Sequence, residues 1–153
     1  MRFKVRVLGI LDVMGHFNRL YGRFVSNTQG SRTGVRMQID ASSVSTDDAW
    51  RDDFLRGPRF FATERYPRIT FSGTCLARGR NGAMQLAGNL SLRGRSRPVV
   101  FEFESASAAP DNRAGVYRAR TVIRRSEFGL NAMQHLIGDE VEIIVAMQTD
   151  AAD

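Results

Sequence analysis

Cysteine occurs once, at Cys75, so no disulfide can form within the chain, and a dithiol redox motif and a cysteine-rich zinc site are both excluded. Histidine is confined to His16 and His135, and neither has a carboxylate at ligand spacing on the same element, so no metal is expected. No apolar run approaches the roughly 20 residues that a membrane-crossing helix needs. The opening Met1-Arg2-Phe3-Lys4-Val5-Arg6-Val7 alternates charged and apolar residues where a secretory leader needs an unbroken apolar stretch. As written, the sequence reads as cytoplasmic; it reads as periplasmic or secreted if a leader has been removed.

Catalytic signatures are missing too. There is no Gly-x-Ser-x-Gly elbow, no glycine loop closing on Lys-Ser/Thr, and no helix-borne zinc pair. Asp47-Asp48 and Asp52-Asp53 supply carboxylates, but acid–base work needs a pair held across a cleft with separated pKa values. Their setting suits capping and solvating a helix. An enzyme is therefore not expected, and neither is a cofactor.

Lysine is nearly absent as well: Lys4 stands alone, and the net charge of +6 rests on arginine. Basic charge suits nucleic acid, an anionic membrane surface or a phosphate-bearing ligand. Arg2, Arg6, Arg36, Arg118, Arg120 and Arg124 fall at alternating positions of separate runs rather than in one cluster. Peripheral contact with an anionic membrane remains an expectation; nucleic-acid binding does not. Arg124-Arg125-Ser126 sits at a strand end and reads as structural.

What the chain has in quantity is alternation. With 153 residues, 42% hydrophobic and 25% charged, it suits one globular domain over 1–153. Period-two patterning marks strands with one buried face. Phe3, Val5 and Val7 alternate with Lys4 and Arg6, and Val35, Met37 and Ile39 with Arg36, Gln38 and Asp40. Ile69 and Phe71, then Met84, Leu86, Leu90 and Leu92, keep one parity. Phe101 and Phe103 oppose Glu102 and Glu104, and Val141, Ile143 and Val145 form a last apolar row.

Gln29-Gly30-Ser31, Asn81-Gly82, Gly94 and Ala109-Pro110-Asp111-Asn112 punctuate these runs as turns. The reading is all-β, with eight strands: 3–7, 16–26, 35–40, 68–77, 83–92, 97–107, 115–125 and 140–149. A short helical segment interrupts them between strands 3 and 4. Thr46 followed by acidic residues is a helix start, Gly57-Pro58 a stop, and Pro58 can open a second short helix. A further short helix is expected near 130–136. Trp50, Phe54, Leu55, Phe60 and Phe61 are too apolar for an idle loop, so the Thr46–Thr63 segment is expected to plug one end.

Several blocks carry a resemblance. Asp40-Ala41-Ser42-Ser43-Val44-Ser45-Thr46, Arg51-Asp52-Asp53-Phe54-Leu55, Phe60-Phe61 and Tyr66-Pro67-Arg68-Ile69-Thr70-Phe71 stand in order. Gly88-Asn89-Leu90-Ser91-Leu92-Arg93-Gly94, Arg97-Pro98-Val99, Arg125-Ser126-Glu127-Phe128-Gly129-Leu130 and Ile137-Gly138-Asp139-Glu140-Val141 follow, while Leu8-Gly9, Gly15-His16-Phe17 and Gly22 fit near the start. Together they resemble the YceI-like family over nearly the whole chain.

The resemblance implies an eight-stranded antiparallel lipocalin-like β-barrel whose tunnel holds a polyisoprenoid chain, such as a prenyl phosphate or long-tailed quinone. It also implies frequent export and a homodimer. Where family members have a further stretch before the first strand, this sequence begins almost inside it, so a short first strand and a partly open seam with the last are expected.

Patterning alone leaves the interior undecided. Gly73 and Cys75 follow Ile69 and Phe71, Gly88 lies between Leu86 and Leu90, and Ala119 between Tyr117 and Thr121. Small residues beside large ones leave a void, or else let strands coil at corners. The resemblance favours the tunnel. Its expected lining is Val5, Phe17, Met37 and Ile39, with Ile69, Phe71, Met84, Leu86, Gly88, Leu90 and Leu92. From the later strands come Phe101, Phe103, Tyr117, Ile123, Phe128, Val141, Ile143 and Val145. Phe54, Phe60 and Phe61 reach it from the lid.

The function expected is carriage or sequestration of an isoprenoid lipid or similar amphiphile. Each buried methylene contributes roughly 0.8 kcal/mol, so a few isoprene units reach micromolar binding with no strong polar contact. The first rival is a packed barrel acting as a ligand-free interaction or stress-response module, and the second, behind it, a basic nucleic-acid binder.

Overall fold

The computed structural model describes residues 1–26, 33–76, 84–108 and 115–149. Ten antiparallel strands form one sheet: β1 (Arg2–Val7), β2 (Leu11–Phe17), β3 (Leu20–Ser26), β4 (Thr33–Asp40), β5 (Val44–Ser45), β6 (Arg68–Leu76), β7 (Gln85–Leu92), β8 (Arg95–Ala108), β9 (Gly115–Arg124) and β10 (Ile137–Thr149). Their spatial order is β3-β4-β6-β7-β8-β9-β10-β1-β2-β5.

Ten strands replace the eight expected, and the reason is local. The run expected over 16–26 belongs to a longer stretch that bends at Asn18-Arg19 into β2 and β3. Its partner bends likewise, through a 3-10 turn at Ala41–Ser43, into β4 and β5. Leu20 pairs with Ile39 on one side of the corner and Phe17 with Val44 on the other. Asn18 N–H donates to Ser43 O and Asp40 N–H to Arg19 O, each at 3.0 Å. The two ends of the strand order are thus halves of one bent ribbon, and the sheet curls back on itself there.

Asp40 holds this corner. Its carboxylate accepts from Ser42 Oγ at 2.6 Å, Ser42 N–H at 3.0 Å and Arg19 Nε at 2.9 Å. The Ser42 hydroxyl foremost, then its amide and Arg19, holds the Asp40 pKa below the usual carboxylate value.

The inward parity matches the alternation: Val35, Met37, Ile39, Leu86, Leu90 and Phe101 are all buried. Arg93 and Gly94 at the β7–β8 turn have positive φ, as a two-residue type I′ hairpin requires, and Leu8 and Gly9 have it too within the three-residue β1–β2 turn that joins the paired Val7 and Leu11. The expected turns at Gln29-Gly30-Ser31, Asn81-Gly82 and Ala109–Asn112 lie outside the described residues.

The seam between first and last strands is formed, from Arg2↔Ile144 to Val7↔Ile137. Past Ile144, β10 pairs only with β9 among the described residues.

One α-helix, α1 (Ala49–Arg56), lies between β5 and β6. Asp48, not Thr46, caps it, accepting from Arg51 N–H at 3.1 Å. Thr46 instead donates its amide (2.8 Å) and hydroxyl (2.6 Å) to buried Asp52, which ties the first turn of the helix to the chain before it. Arg56 donates to Ser42 O at 2.7 Å and Val44 O at 3.2 Å, fastening the other end to the bent ribbon. Pro58 opens turns rather than a second helix. The helix expected near 130–136 does not form: 132–136 are turns, and a 3-10 turn lies just before them at Arg125–Phe128.

An apolar cavity under an aromatic cover

The start of β6, β8 and β10 and the end of β1, β4, β7 and β9 meet at one end of the curl, and there the interior is incompletely filled. A cavity of about 110 Å³ lies between the strands and the segment that follows α1. Register explains its inner wall: Val5 pairs with Val141, which pairs with Ile123, and Phe3 pairs with Ile143. Ile69, Leu90 and Leu92 face them from β6 and β7, Leu130 contributes from the segment before β10, and Ile137 from the first position of β10.

Leu55, Phe60 and Phe61 close the cavity from above. Phe61 meets Phe17 edge-on at 5.6 Å, Phe17 lies 5.7 Å from Phe3, and the Phe3 ring occupies the space that Gly15 leaves free. A second chain of rings leads outward. Phe60 contacts Phe54 at 5.2 Å, and Phe54 stacks on Trp50 at 6.0 Å. Phe60 is buried, Phe54 is 38% exposed and Trp50 79% exposed, so aromatic surface runs unbroken from solvent to the cavity wall.

Among the described residues Arg125 is the one ionisable side chain on that wall. It is 5% exposed, and its guanidinium donates to Leu130 O (2.6 Å), Ile137 O (2.8 Å), Gly138 O (2.9 Å) and Ala132 O (2.9 Å). Burial lowers its pKa from the usual arginine value, against the opposing pull of Asp139. With its donors committed to carbonyls, it pins the 130–138 segment over the cavity. Arg93 does the same between segments, donating to Gly129 O at 2.8 Å and Pro58 O at 2.9 Å.

Of the expected lining, Val5, Phe17, Phe60, Phe61 and Ile69 reach the cavity, as do Leu90, Leu92, Ile123, Val141 and Ile143. Met37, Ile39, Phe71, Leu86, Phe101 and Val145 are buried in a close-packed layer beyond it instead. Phe128 packs wholly inside under the 3-10 turn. Phe103 and Tyr117 meet edge-on at 6.2 Å, further still from the cavity end. Phe54 and Met84 are exposed, and Trp50 with Phe54 rides on the cover rather than plugging the end.

Gly88 lines no void. It pairs with Gly73 across β6 and β7, and a Cβ there would strike Ser72 O and Gly73 Cα. These glycines serve close strand approach, and among the described residues there is no channel running the length of the interior. Met1, Phe3, Leu55, Leu130, Ile137 and Arg125 were not in the expected lining. Phe3 shares parity with Val5 and was within reach of the pattern; Leu130 and Arg125 lie in irregular backbone that carries no period.

A curled antiparallel sheet enclosing an apolar end-cavity is the lipocalin-like class of architecture. The chain belongs to the YceI-like domain family, whose model matches residues 1–149. A UPF0312 protein of Vibrio cholerae is 29% identical over 138 residues, covering 87% of this chain and 72% of its own. One from Shewanella denitrificans is 32% identical over 135 residues, covering 85% and 70%.

Among solved structures, Burkholderia cenocepacia BcnA superposes with a TM-score of 0.84 at 18% identity, over 97% of this chain and 94% of that one. A polyisoprenoid-binding domain from Saccharophagus degradans gives 0.72 at 16% identity, over 99% and 92%. At these identities the likeness shows the fold.

Proposed function

We propose that this chain binds the apolar tail of an isoprenoid-type amphiphile, a prenyl phosphate or long-tailed quinone, and carries or sequesters it without chemical change. The observation that carries this reading is the cavity wall, apolar but for Arg125, whose donors are committed to backbone carbonyls, and closed by aromatic side chains instead of by sheet. A structural relative described as a polyisoprenoid-binding domain supports the ligand class.

Size sets how binding proceeds. An engineered cavity of about 150 Å³ takes up benzene, so about 110 Å³ suits roughly one five-carbon unit. One unit contributes about 4 kcal/mol, a millimolar interaction before ordering costs. Useful affinity therefore requires Phe60 and Phe61 to move and further units to be buried. The headgroup stays in water beyond the cover.

The test is titration with farnesol, followed by native mass spectrometry, on the parent chain and on Val141→Phe, which fills the cavity from β10. A one-to-one complex in the parent and loss in the variant is expected. Equal uptake by both would remove the cavity from consideration. The close-packed layer around Phe71 and Phe101 favours a second reading, a ligand-free interaction module; protein that is repeatedly empty on purification from cells, and takes up no prenol, decides for it.

A further inference from the structure

We propose that Phe71 sets the length of tail that the interior accepts, an inference that rests on the reading of the cavity as a tail site. Along β6 the inward positions run Ile69, Phe71, Gly73 and Cys75. Ile69 lines the cavity and Phe71 does not. The reason is the direction of its ring. A Cβ on Gly73 would sit 2.7 Å from Phe71 Cε1 and Cζ, so the ring leans away from Ile69 and lies in the space that Gly73 leaves free.

There it meets Phe101 edge-on at 5.1 Å, and with Leu86, Val35 and Val145 it makes a layer less than 2% exposed. Past that layer the interior nears solvent: Cys75, Phe103 and Tyr117 are only half-buried. One close-packed layer thus separates the cavity from the half-buried far end of the same apolar interior. Within it the Phe71 ring rests on a residue with no side chain.

With Phe60 and Phe61 moved aside, a tail of about three units fills the enlarged cavity and reaches Ile69 and Leu90, and Leu90 pairs directly with Phe71. The next isoprene unit must displace the ring, giving up its contacts with Phe101, and so gains little. A shorter tail never meets this cost. Phe71 therefore acts on long tails and spares short ones, a pattern that general support of the fold does not produce.

The experiment titrates geraniol, farnesol and geranylgeraniol, of two, three and four isoprene units, by isothermal calorimetry into the parent chain, Phe71→Ala and Phe71→Leu. In the parent, affinity is expected to rise less than about threefold from farnesol to geranylgeraniol. In Phe71→Ala that step becomes at least about tenfold, because the added unit is buried in the vacated space. Geraniol binding stays within about twofold of the parent.

Phe71→Leu, which removes the ring and keeps an apolar side chain of moderate size, carries the same comparison if Phe71→Ala does not fold cooperatively. The same length dependence in parent and variants, or a parallel loss for all three alcohols, overturns the role of Phe71 and leaves the cavity reading standing. No binding of any prenol to the parent overturns both.

Discussion

Replacing Arg125 by methionine keeps an unbranched apolar stem against the cavity and deletes every donor of the guanidinium. Four carbonyls, of Leu130, Ala132, Ile137 and Gly138, then lose their partner, the first in a fully buried bond and the other three in part-buried ones. An unsatisfied buried acceptor costs about 1–3 kcal/mol, so one fully buried and three part-buried acceptors give about 4 kcal/mol at most if the backbone holds still. Two effects reduce the loss. Desolvating a buried cation is itself costly, and removing it returns that cost. The 130–138 segment can also lift away and hydrate its carbonyls.

A net destabilisation of about 3 kcal/mol is expected in urea, with the amides of 130–138 losing hydrogen-exchange protection ahead of the sheet. Arg125→Lys, whose ammonium has fewer donors and no planar fork, should fall between the two. A loss below about 1 kcal/mol with unchanged exchange would show that the four hydrogen bonds do not hold the segment, and that the cavity floor is set by packing alone.

Gly88→Leu should destabilise by at least about 2 kcal/mol, measured by thermal melting, because its Cβ meets the backbone of β6 rather than a void; a stable variant would place the strands further apart than described. Asp40→Ala should cost about 1 kcal/mol near neutral pH through loss of the cap at the bent corner. Because the folded-state pKa of Asp40 lies below its unfolded value, that contribution is complete above the ordinary carboxylate range and fades as pH falls through the folded value. Urea melts at descending pH check this, and a parent–variant gap that stays constant into strong acid would contradict it. Burial raises the Cys75 thiol pKa, so alkylation by iodoacetamide at mildly alkaline pH should run slower in the folded chain than in urea; equal rates would refute it.

Period-two alternation was enough to assign the all-β class, the inward faces of β4, β6 and β7 and the presence of a helical interruption, because a strand with one buried face writes its geometry directly into neighbouring residues. The bent ribbon left a weaker mark. Nothing in the hydropathy of Phe17 to Leu20 signals a change of partner, and the split into β2 and β3 arises because a curled sheet needs a corner.

Inwardness, likewise, was readable for Phe71, Leu86 and Phe101, yet whether an inward side chain borders a cavity or fills one was not. That depended on where the Phe71 ring turned, on Gly73 and Gly88 meeting across two strands, and on the reach of Phe60 and Phe61 over the end. Arg125 shows the same division. Its place at a strand end marked it as structural in the sequence, but only the convergence of four carbonyls in the tertiary structure made burial favourable. Patterning acts between neighbours and so determined the sheet; the cavity is the space left where distant segments meet, and only the tertiary structure decided it.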